Sequence, residues 1–199
     1  GKKEKPYYTY RFVFLPETIG AITYLNKHLK HLQKNVIAGY VVTCVGDPGV
    51  FSYLKTRNAD TLVDRITLHV LENTEDEFNL YNFLARGSDE RQYNAPGIDL
   101  PVGSLMRSKY HDYPEYHTNK DDFKVVTEKG LQDSFIVVKT IIDAFELGLY
   151  PHTRVLCEPN LGKRNLYPQI SKKEIYKDED IKVRTDLIAY ANGKNNIFY

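Results

Sequence analysis

Three short segments carry side chains that could assist hydrolysis. Glu17 follows an apolar run, Asp89 follows a Gly-Ser pair, and His117 follows the sequence Tyr-Pro-Glu-Tyr. A metal-activated water needs carboxylate and imidazole ligands, with a base nearby. The three segments therefore supply both ligand types and one candidate base.

Each of these residues also has a purely structural interpretation. Glu17 could interact with the N-terminal dipole of a following helix. Asp89 could belong to a solvated turn that pairs with itself through Glu90 and Arg91. His117 could be a structural histidine among tyrosines. The residues taken one at a time leave both interpretations open.

Apolar runs and helical periodicity predict the elements that must position these side chains. We expect strands at residues 8–15, 36–45, 79–84, 102–106 and 153–157, and helices at 19–33, 60–71, 131–149 and 180–191. Strands that alternate with helices predict an α/β fold with a mostly parallel or mixed sheet. Glu17 and Asp89 each follow a predicted strand, where open α/β sheets collect their ligands.

The two longest predicted helices each show an apolar stripe at spacings of three and four residues, which predicts one buried face per helix. The first stripe comprises Ile19, Ile22, Leu25, Leu29 and Leu32, and the second comprises Leu131, Phe135, Val138, Ile142, Phe145 and Leu149.

The composition is that of an ordinary globular protein. The 199 residues are 42% hydrophobic and 27% charged, and the net charge of +1 favours neither a nucleic-acid nor a membrane partner. No apolar run approaches the roughly 20 residues of a membrane helix. Cys44 and Cys157 lie in apolar runs, so we expect buried, reduced thiols in a cytoplasmic protein, with a disulfide as the alternative.

Taken together, the segments resemble the co-catalytic zinc aminopeptidases, which have the α/β fold of the zinc carboxypeptidases. That family shows Glu-Glu-x-Gly after an apolar strand, then Ser-Asp-His-x-x-Phe, then His-Thr-x-x-Asp. The similarity is closest to a bacterial branch with Pro-Glu-Thr-Ile-Gly, Ser-Asp-Glu-Arg-Gln-Tyr, Tyr-Pro-Glu-Tyr-His-Thr and Leu-Gly-Lys-Arg-x-Leu-Tyr-Pro, followed by a winged-helix-like module. All four motifs occur here in that order, within residues 8–199.

The resemblance implies a role for each matching residue. Glu17 corresponds to the general base that takes a proton from the attacking water. Asp89 and His117 correspond to metal ligands, and zinc is the cofactor implied for the parent protein. Glu115 and Asp121 are candidates to orient the imidazole or to contact substrate.

Two departures from the family pattern bear on the metal. Thr18 stands where the family has a second glutamate that binds zinc, and a neutral hydroxyl is a poor replacement. The family's first histidine and bridging aspartate precede the glutamate motif, and residues 1–15 contain neither residue type. We therefore expect no complete zinc site within one copy of this chain.

These observations predict a partial aminopeptidase-like α/β domain over residues 1–158, with a linker and the start of a winged-helix-like module over 159–199. The expected function is metal-dependent hydrolysis of an amide or peptide bond by a longer protein, with this chain incomplete or inactive alone. The alternative is a non-catalytic binding or assembly module. The expected partners are a peptide-like or small amide substrate and either a second copy or a companion polypeptide.

Overall fold

The structure, a computed structural model, describes residues 5–147, 150–166, 178–195 and 197. The chain divides into two compact units, Gly1–Phe145 and Glu146–Tyr199. The boundary predicted after residue 158 stays a prediction. The two units are described separately below.

The described residues of the first unit form four strands and four α-helices. The strands are β1 (Gly39–Val42), β2 (Phe51–Leu54), β3 (Phe78–Tyr81) and β4 (Val102–Met106), and the helices are α1 (Ile19–Asn35), α2 (Leu62–Thr74), α3 (Glu90–Tyr93) and α4 (Glu128–Glu146). A single 3-10 turn, Phe83–Ala85, follows β3.

The four strands form one mixed sheet in the order β1-β4-β2-β3. β1 pairs with β4 and β2 with β3 in parallel, whereas β2 and β4 are antiparallel, with Tyr53 opposite Leu105. Helices flank this sheet, so the predicted α/β class with a mostly parallel or mixed sheet is confirmed. Every residue of β2 and β4 is buried, which places these two central strands in the core.

The predicted strand at residues 8–15 is wrong. This segment belongs to no strand and is largely exposed, with Phe12 at 76% and Phe14 at 93%. A strand forms only when a neighbour satisfies its backbone donors and acceptors, and no strand within the described residues pairs with this one. The apolar run alone therefore could not decide its conformation.

The helix following Glu17 is confirmed and extends to Asn35, but its predicted stripe is buried only in part. Leu25 and Leu32 are buried, whereas Ile19 and Ile22 are 69% and 49% exposed. The apolar residues that α1 packs against, Leu100 among them, contact its later turns.

The buried face of α4 differs from the predicted stripe by about one position. Leu131 and Phe135 are exposed, and the helix instead buries Gly130 and Ser134 in its first turns. The cause is a close backbone approach, since a Cβ at Gly130 would lie 2.2 Å from the carbonyl oxygen of Gly46. Only small residues fit there.

Two further predictions fail and one strand was missed. β2 was not predicted, although it is the most deeply buried strand together with β4. Residues 153–157 form no strand. Cys44 and Cys157 are free, but Cys44 is half-buried and Cys157 is exposed, because neither lies in the sheet interior that its apolar run suggested.

The second unit contains the 3-10 turn Gly162–Arg164 and helix α5 (Asp178–Tyr190), close to the predicted helix at 180–191. His152 pairs with Asn192 in an isolated antiparallel bridge, which ties the start of this unit to the end of α5. Leu149, the last residue of the predicted α4 stripe, lies outside the described residues. Within the part of the chain that the structure describes, no helix has the length and apolar character needed to span a bilayer.

Candidate functional site

Glu17 lies in a tight turn just before α1. The amide of Ile19 donates to the carbonyl of Glu17 at 2.7 Å, and Thr18 between them has φ 61° and ψ −70°. These are the features of a γ-turn with a positive central φ, a strained form that β-branched residues rarely adopt. Glu17 itself is exposed. The turn, rather than a strand end, therefore presents this carboxylate.

The segment that contains Asp89 contacts this turn, although Asp89 lies 71 residues after Thr18 in the sequence. Asp89 Oδ1 accepts a hydrogen bond from the Thr18 amide at 2.7 Å. Arg91 Nη2 donates to Thr18 Oγ1 at 2.8 Å. Asp89 also does not directly follow a strand, because the 3-10 turn Phe83–Ala85 lies between it and β3.

Glu90 anchors the same segment to the core. It is fully buried, and its carboxylate accepts from the amides of Gly87 and Ser88 and from the hydroxyls of Ser104 and Tyr110, at 2.8 to 3.0 Å. Because four donors satisfy it, the carboxylate is stabilised despite its burial. The run Asp89-Glu90-Arg91 is therefore not a self-paired solvated turn.

Gly87 allows Tyr110 to reach this carboxylate. A Cβ at Gly87 would lie 2.6 Å from Tyr110 Cε2, so any larger residue would displace the tyrosine ring. The close packing of Gly87 against Tyr110 explains why a glycine begins this segment.

The electrostatics of Asp89 reflect its surroundings. Burial raises the pKa of this carboxyl, and the charges of Glu17 and Glu90 raise it further, while the Thr18 amide and Arg91 oppose the shift. Glu17 directly precedes Thr18, whose amide donates to Asp89, so the two carboxylates belong to segments in direct contact. Asp89 therefore takes up a proton more readily than an ordinary aspartate.

His117 lies in an aromatic loop. Its ring stacks on Tyr116 with centroids 3.9 Å apart, and the His111 ring contacts Tyr116 edge-on at 4.8 Å. Burial raises the pKa of Tyr116, and the charges of Cys44 and Glu17 raise it further. The order of the three motifs predicts that Glu17, Asp89 and His117 line one cleft, and this stays a prediction.

Glu115 and Asp121 hold the loop in shape through their backbones. The Glu115 carbonyl accepts from the amide and hydroxyl of Thr118, and the Asp121 amide donates to the Thr118 carbonyl. Among the described residues, no hydrogen bond joins either carboxylate to the His117 ring. The charge of Asp121 instead acts on Tyr113, whose pKa is raised chiefly by burial.

The arrangement of these side chains does not fit a zinc ion. A protein zinc site takes three or four protein ligands, and no group of three or more His, Cys, Asp or Glu side chains in the described ranges is placed to hold a metal. At the position of the family's ligand glutamate, the Thr18 hydroxyl is occupied by Arg91. One oxygen of Asp89 is occupied by the Thr18 amide.

Comparison with known proteins identifies both parts of the chain. Residues 1–148 match a domain family of unknown function, DUF4910, and residues 148–199 match a winged helix-turn-helix family. The chain belongs to the DUF4910 family. A winged helix-turn-helix domain follows the DUF4910 domain.

A curated relative of this DUF4910 chain comes from Clostridium acetobutylicum and is named "Putative polysaccharide biosynthesis protein with aminopeptidase-like domain". It is 40% identical over 196 residues, which are 98% of this chain and 44% of the relative. The chain thus spans less than half the length of that relative. It is a homologue of a protein with an aminopeptidase-like domain.

Solved structures give the same assignment of fold. A crystal structure titled as a putative peptidase from Clostridium acetobutylicum has a TM-score of 0.82 at 38% identity, over 98% of this chain and 43% of that one. An aminopeptidase from Aneurinibacillus matches 62% of this chain and 29% of its own at TM-score 0.53 and 16% identity. A zinc aminopeptidase from Bacillus subtilis matches 62% of this chain and 32% of its own chain, with a TM-score of 0.51 and 15% sequence identity. The solved structures that share this fold thus include aminopeptidases, one of them a zinc enzyme.

Sequence reasoning did not identify the partners of Thr18. It treated Glu90 and Arg91 as companions of Asp89, whereas Glu90 binds the core and Arg91 binds Thr18. The one available signal was a run of three charged residues directly after Gly-Ser. Tyr116, which lies against His117, gave no sequence signal.

Proposed function

We propose that this DUF4910 domain forms part of an amide- or peptide-bond hydrolase in which Glu17 is the general base. The observation that carries the proposal is the hydrogen bond from the Thr18 amide to Asp89, which joins two motif segments 71 residues apart in the sequence. The aminopeptidase-like domain named in the curated relative supports the substrate class.

The proposed chemistry uses groups of this chain alone. Glu17 is exposed at the turn and can accept a proton from a water that attacks the substrate carbonyl. The resulting carboxylic acid can then give this proton to the amine nitrogen as the C–N bond breaks. The stacked rings of Tyr116 and His117 offer a flat surface that a substrate side chain could contact. No step is assigned to a metal, because the described residues do not form a zinc site. A full ligand set would require groups from outside them.

A non-catalytic binding or assembly module is the second candidate. Two observations favour it, namely the hydroxyl of Thr18 at a ligand position and the use of an Asp89 oxygen by a backbone amide. Both side chains serve the architecture of the turn in this chain. A module of this kind would retain the fold without turnover.

Hydrolysis assays separate the two candidates. The purified chain, supplied with zinc sulfate, is incubated with a panel of aminoacyl 4-nitroanilides, alongside Glu17→Gln and the matched control Glu77→Gln, an exposed glutamate of another segment. A general base contributes about 10²- to 10⁴-fold, so Glu17→Gln should lose at least a hundredfold in rate while the control keeps its rate. If neither this chain nor the longer protein that contains it releases nitroaniline, the binding-module candidate replaces the hydrolase.

Metal analysis tests the incomplete ligand set. After dialysis against a weak chelator, we expect less than one zinc ion per chain. Stoichiometric zinc that survives dialysis would contradict this, and it would mean that other side chains replace the missing ligands.

We also propose that residues 8–15 mediate association with a second copy or a companion polypeptide. Phe12 and Phe14 are exposed there, and exposed apolar segments favour protein contacts. Sedimentation equilibrium should show self-association that a Phe12→Ser, Phe14→Ser double variant removes. Phe123→Ser is the matched control, since Phe123 is as exposed as Phe14 at 93%. A monomer at all micromolar concentrations would rule out the second copy.

A further inference from the structure

The Glu17–Thr18 turn is strained and needs external support. Thr18 has φ 61° and ψ −70°, in a region that a β-branched residue enters only at a cost. Strained residues of this kind cost on the order of 1–3 kcal/mol each and persist where the surrounding structure holds them. The neighbours of Thr18 should therefore include groups that fix this conformation.

Two consecutive contacts provide that support. Asp89 holds the Thr18 amide at 2.7 Å, and Arg91 holds the Thr18 hydroxyl at 2.8 Å. One contact fixes the backbone and the other fixes the side chain. A hydrogen bond in which one partner is charged is stronger than one between neutral groups, so both contacts are of the stronger kind.

Glu90, which lies between Asp89 and Arg91, connects this support to the core. Its carboxylate is bonded to Ser104 in β4, to Tyr110 and to the Gly87 and Ser88 amides. The segment that holds Thr18 is thus fixed to the central sheet. Displacement of the backbone of this segment would pull the Glu90 carboxylate away from its four donors, which is costly for a buried group.

We propose that Asp89, Glu90 and Arg91 form a positioning clamp that orients the Glu17 carboxylate by fixing the strained turn at Thr18. The proposal rests on the proposed role of Glu17 as a base. In this assignment Asp89 is a positioning residue rather than a metal ligand. Thr18 serves as the site that the clamp grips, which accounts for a hydroxyl where the similar zinc enzymes carry a carboxylate.

The clamp accounts for three features that the zinc interpretation leaves unexplained. The Asp89 oxygen faces a backbone amide, the Arg91 guanidinium reaches 73 residues back to a hydroxyl, and a buried glutamate separates the two. Each feature follows if the segment holds the turn. The first feature commits Asp89 Oδ1 to the Thr18 amide, which is the contact that the clamp requires.

The test follows the Thr18 amide by nuclear magnetic resonance of the whole chain. Asp89→Ala removes the acceptor, so hydrogen exchange of the Thr18 amide should accelerate by tenfold or more. Asp89→Asn keeps an acceptor oxygen at the same reach, so exchange should stay within about threefold of the unmodified chain. This pair therefore tests whether an acceptor oxygen at residue 89, rather than its negative charge, holds the Thr18 amide.

A second pair of variants tests the Arg91 contact without removing buried groups. Thr18→Val deletes only the hydroxyl, and Thr18→Ser retains it. Valine should accelerate exchange of the Ile19 amide, which closes the γ-turn, whereas serine should preserve its protection. Asp60→Ala, which breaks the exposed ion pair with Arg65, is the control and should leave both amides unchanged.

The outcomes distinguish the clamp from the proposed function. If Asp89→Ala and Thr18→Val both leave the two amides protected, the clamp is wrong, whatever the activity. If the amides respond as expected but Glu17→Gln keeps full hydrolysis, the clamp stands as a holder of the turn and the role of Glu17 as a base fails. If hydrolysis depends on Glu17, Arg91→Met should lower kcat with little change in KM, and a change in KM alone would overturn the positioning role.

Discussion

Asp64 and Glu90 are the least exposed carboxylates among the described residues, at 1% and 0% exposure, yet they stabilise different parts of the fold. Asp64 accepts from Tyr53 and from the amides and hydroxyls of Thr56 and Thr61, all within 11 residues of it. Glu90 accepts from β4 and Tyr110 as well as from its own turn. Burial and full hydrogen bonding therefore do not by themselves mark a functional residue.

The two carboxylates differ in the structural element that each one stabilises. Asp64 completes the capping box that starts α2, so it stabilises a helix and its loop. Glu90 lies between the two residues that contact Thr18, so its bonds fix the segment that holds the turn before α1. The following variants test this distinction.

The largest effect on stability should come from Asp64→Ala. The substitution leaves several buried donors without an acceptor, and each such loss costs about 1–3 kcal/mol. We expect a loss of about 3–4 kcal/mol in the free energy of unfolding, measured by urea titration, with unchanged exchange of the Thr18 amide. Asp60→Ala, at the exposed end of the same loop, should leave the midpoint nearly unchanged. Faster exchange of the Thr18 amide in Asp64→Ala would contradict the distinction between the two carboxylates.

Glu90→Ala should have a smaller effect on stability but a clear effect on the turn. It removes the acceptor of four donors, two of them backbone amides of an adaptable turn, so we expect a loss of about 2–3 kcal/mol. The Thr18 amide should exchange faster, unlike in Asp64→Ala. Glu90→Gln keeps one acceptor oxygen and a group that can donate to Ser104, so it should restore most of both properties. Failure of glutamine to restore either one would argue for a role of the charge itself.

A matched pair of tyrosine variants refines the comparison. Tyr53 donates to Asp64 and Tyr110 donates to Glu90, and burial, with the nearby carboxylate, raises the pKa of both phenols, so both stay protonated donors at neutral pH. Tyr53→Phe and Tyr110→Phe should each cost about 1 kcal/mol in unfolding experiments. Only Tyr110→Phe should alter the resonances of Gly87 and Thr18, and equal effects of both variants on those resonances would contradict the distinction.

The smallest expected effect is a pH dependence from Asp89. Its pKa in the folded chain is raised, mainly by burial, above the ordinary value of about 3.9. Between these two values the folded state binds more protons than the unfolded state, so stability falls as pH rises through the window. Relative to the Asp89→Asn variant, the unmodified chain should therefore lose unfolding free energy as the pH rises above about 4. The opposite slope would mean that the Thr18 amide and Arg91 outweigh burial.

Local sequence patterns predicted three of the helices and one central strand. α1, α2 and α5 begin and end near the predicted positions, and β4 matches its prediction, because periodicity and apolar runs are local signals of helices and strands. The strand at 8–15 failed and β2 was missed. In both cases the decisive factor was whether another strand lay alongside, which no local pattern contains.

The candidate site was predictable only as a set of residue types. The motifs singled out Glu17, Asp89 and His117, and the Thr18 hydroxyl at a ligand position already argued against a complete zinc set. The contacts of Arg91 with Thr18, and of Tyr116 with His117, were not predictable, since they depend on how the turn and the loop fold.

The sequence by itself determined the α/β class, the aminopeptidase-like resemblance and the winged-helix module that follows. The tertiary structure alone decided the mixed sheet order, the face that α4 buries and the hydrogen-bond partners of Asp89, Glu90 and Arg91. The physical reason is that periodicity and motif spacing are properties of one segment. A carboxylate oxygen can serve a metal, a helix or a backbone amide, and which one it serves depends on the group that the folded chain brings within about 3 Å of it.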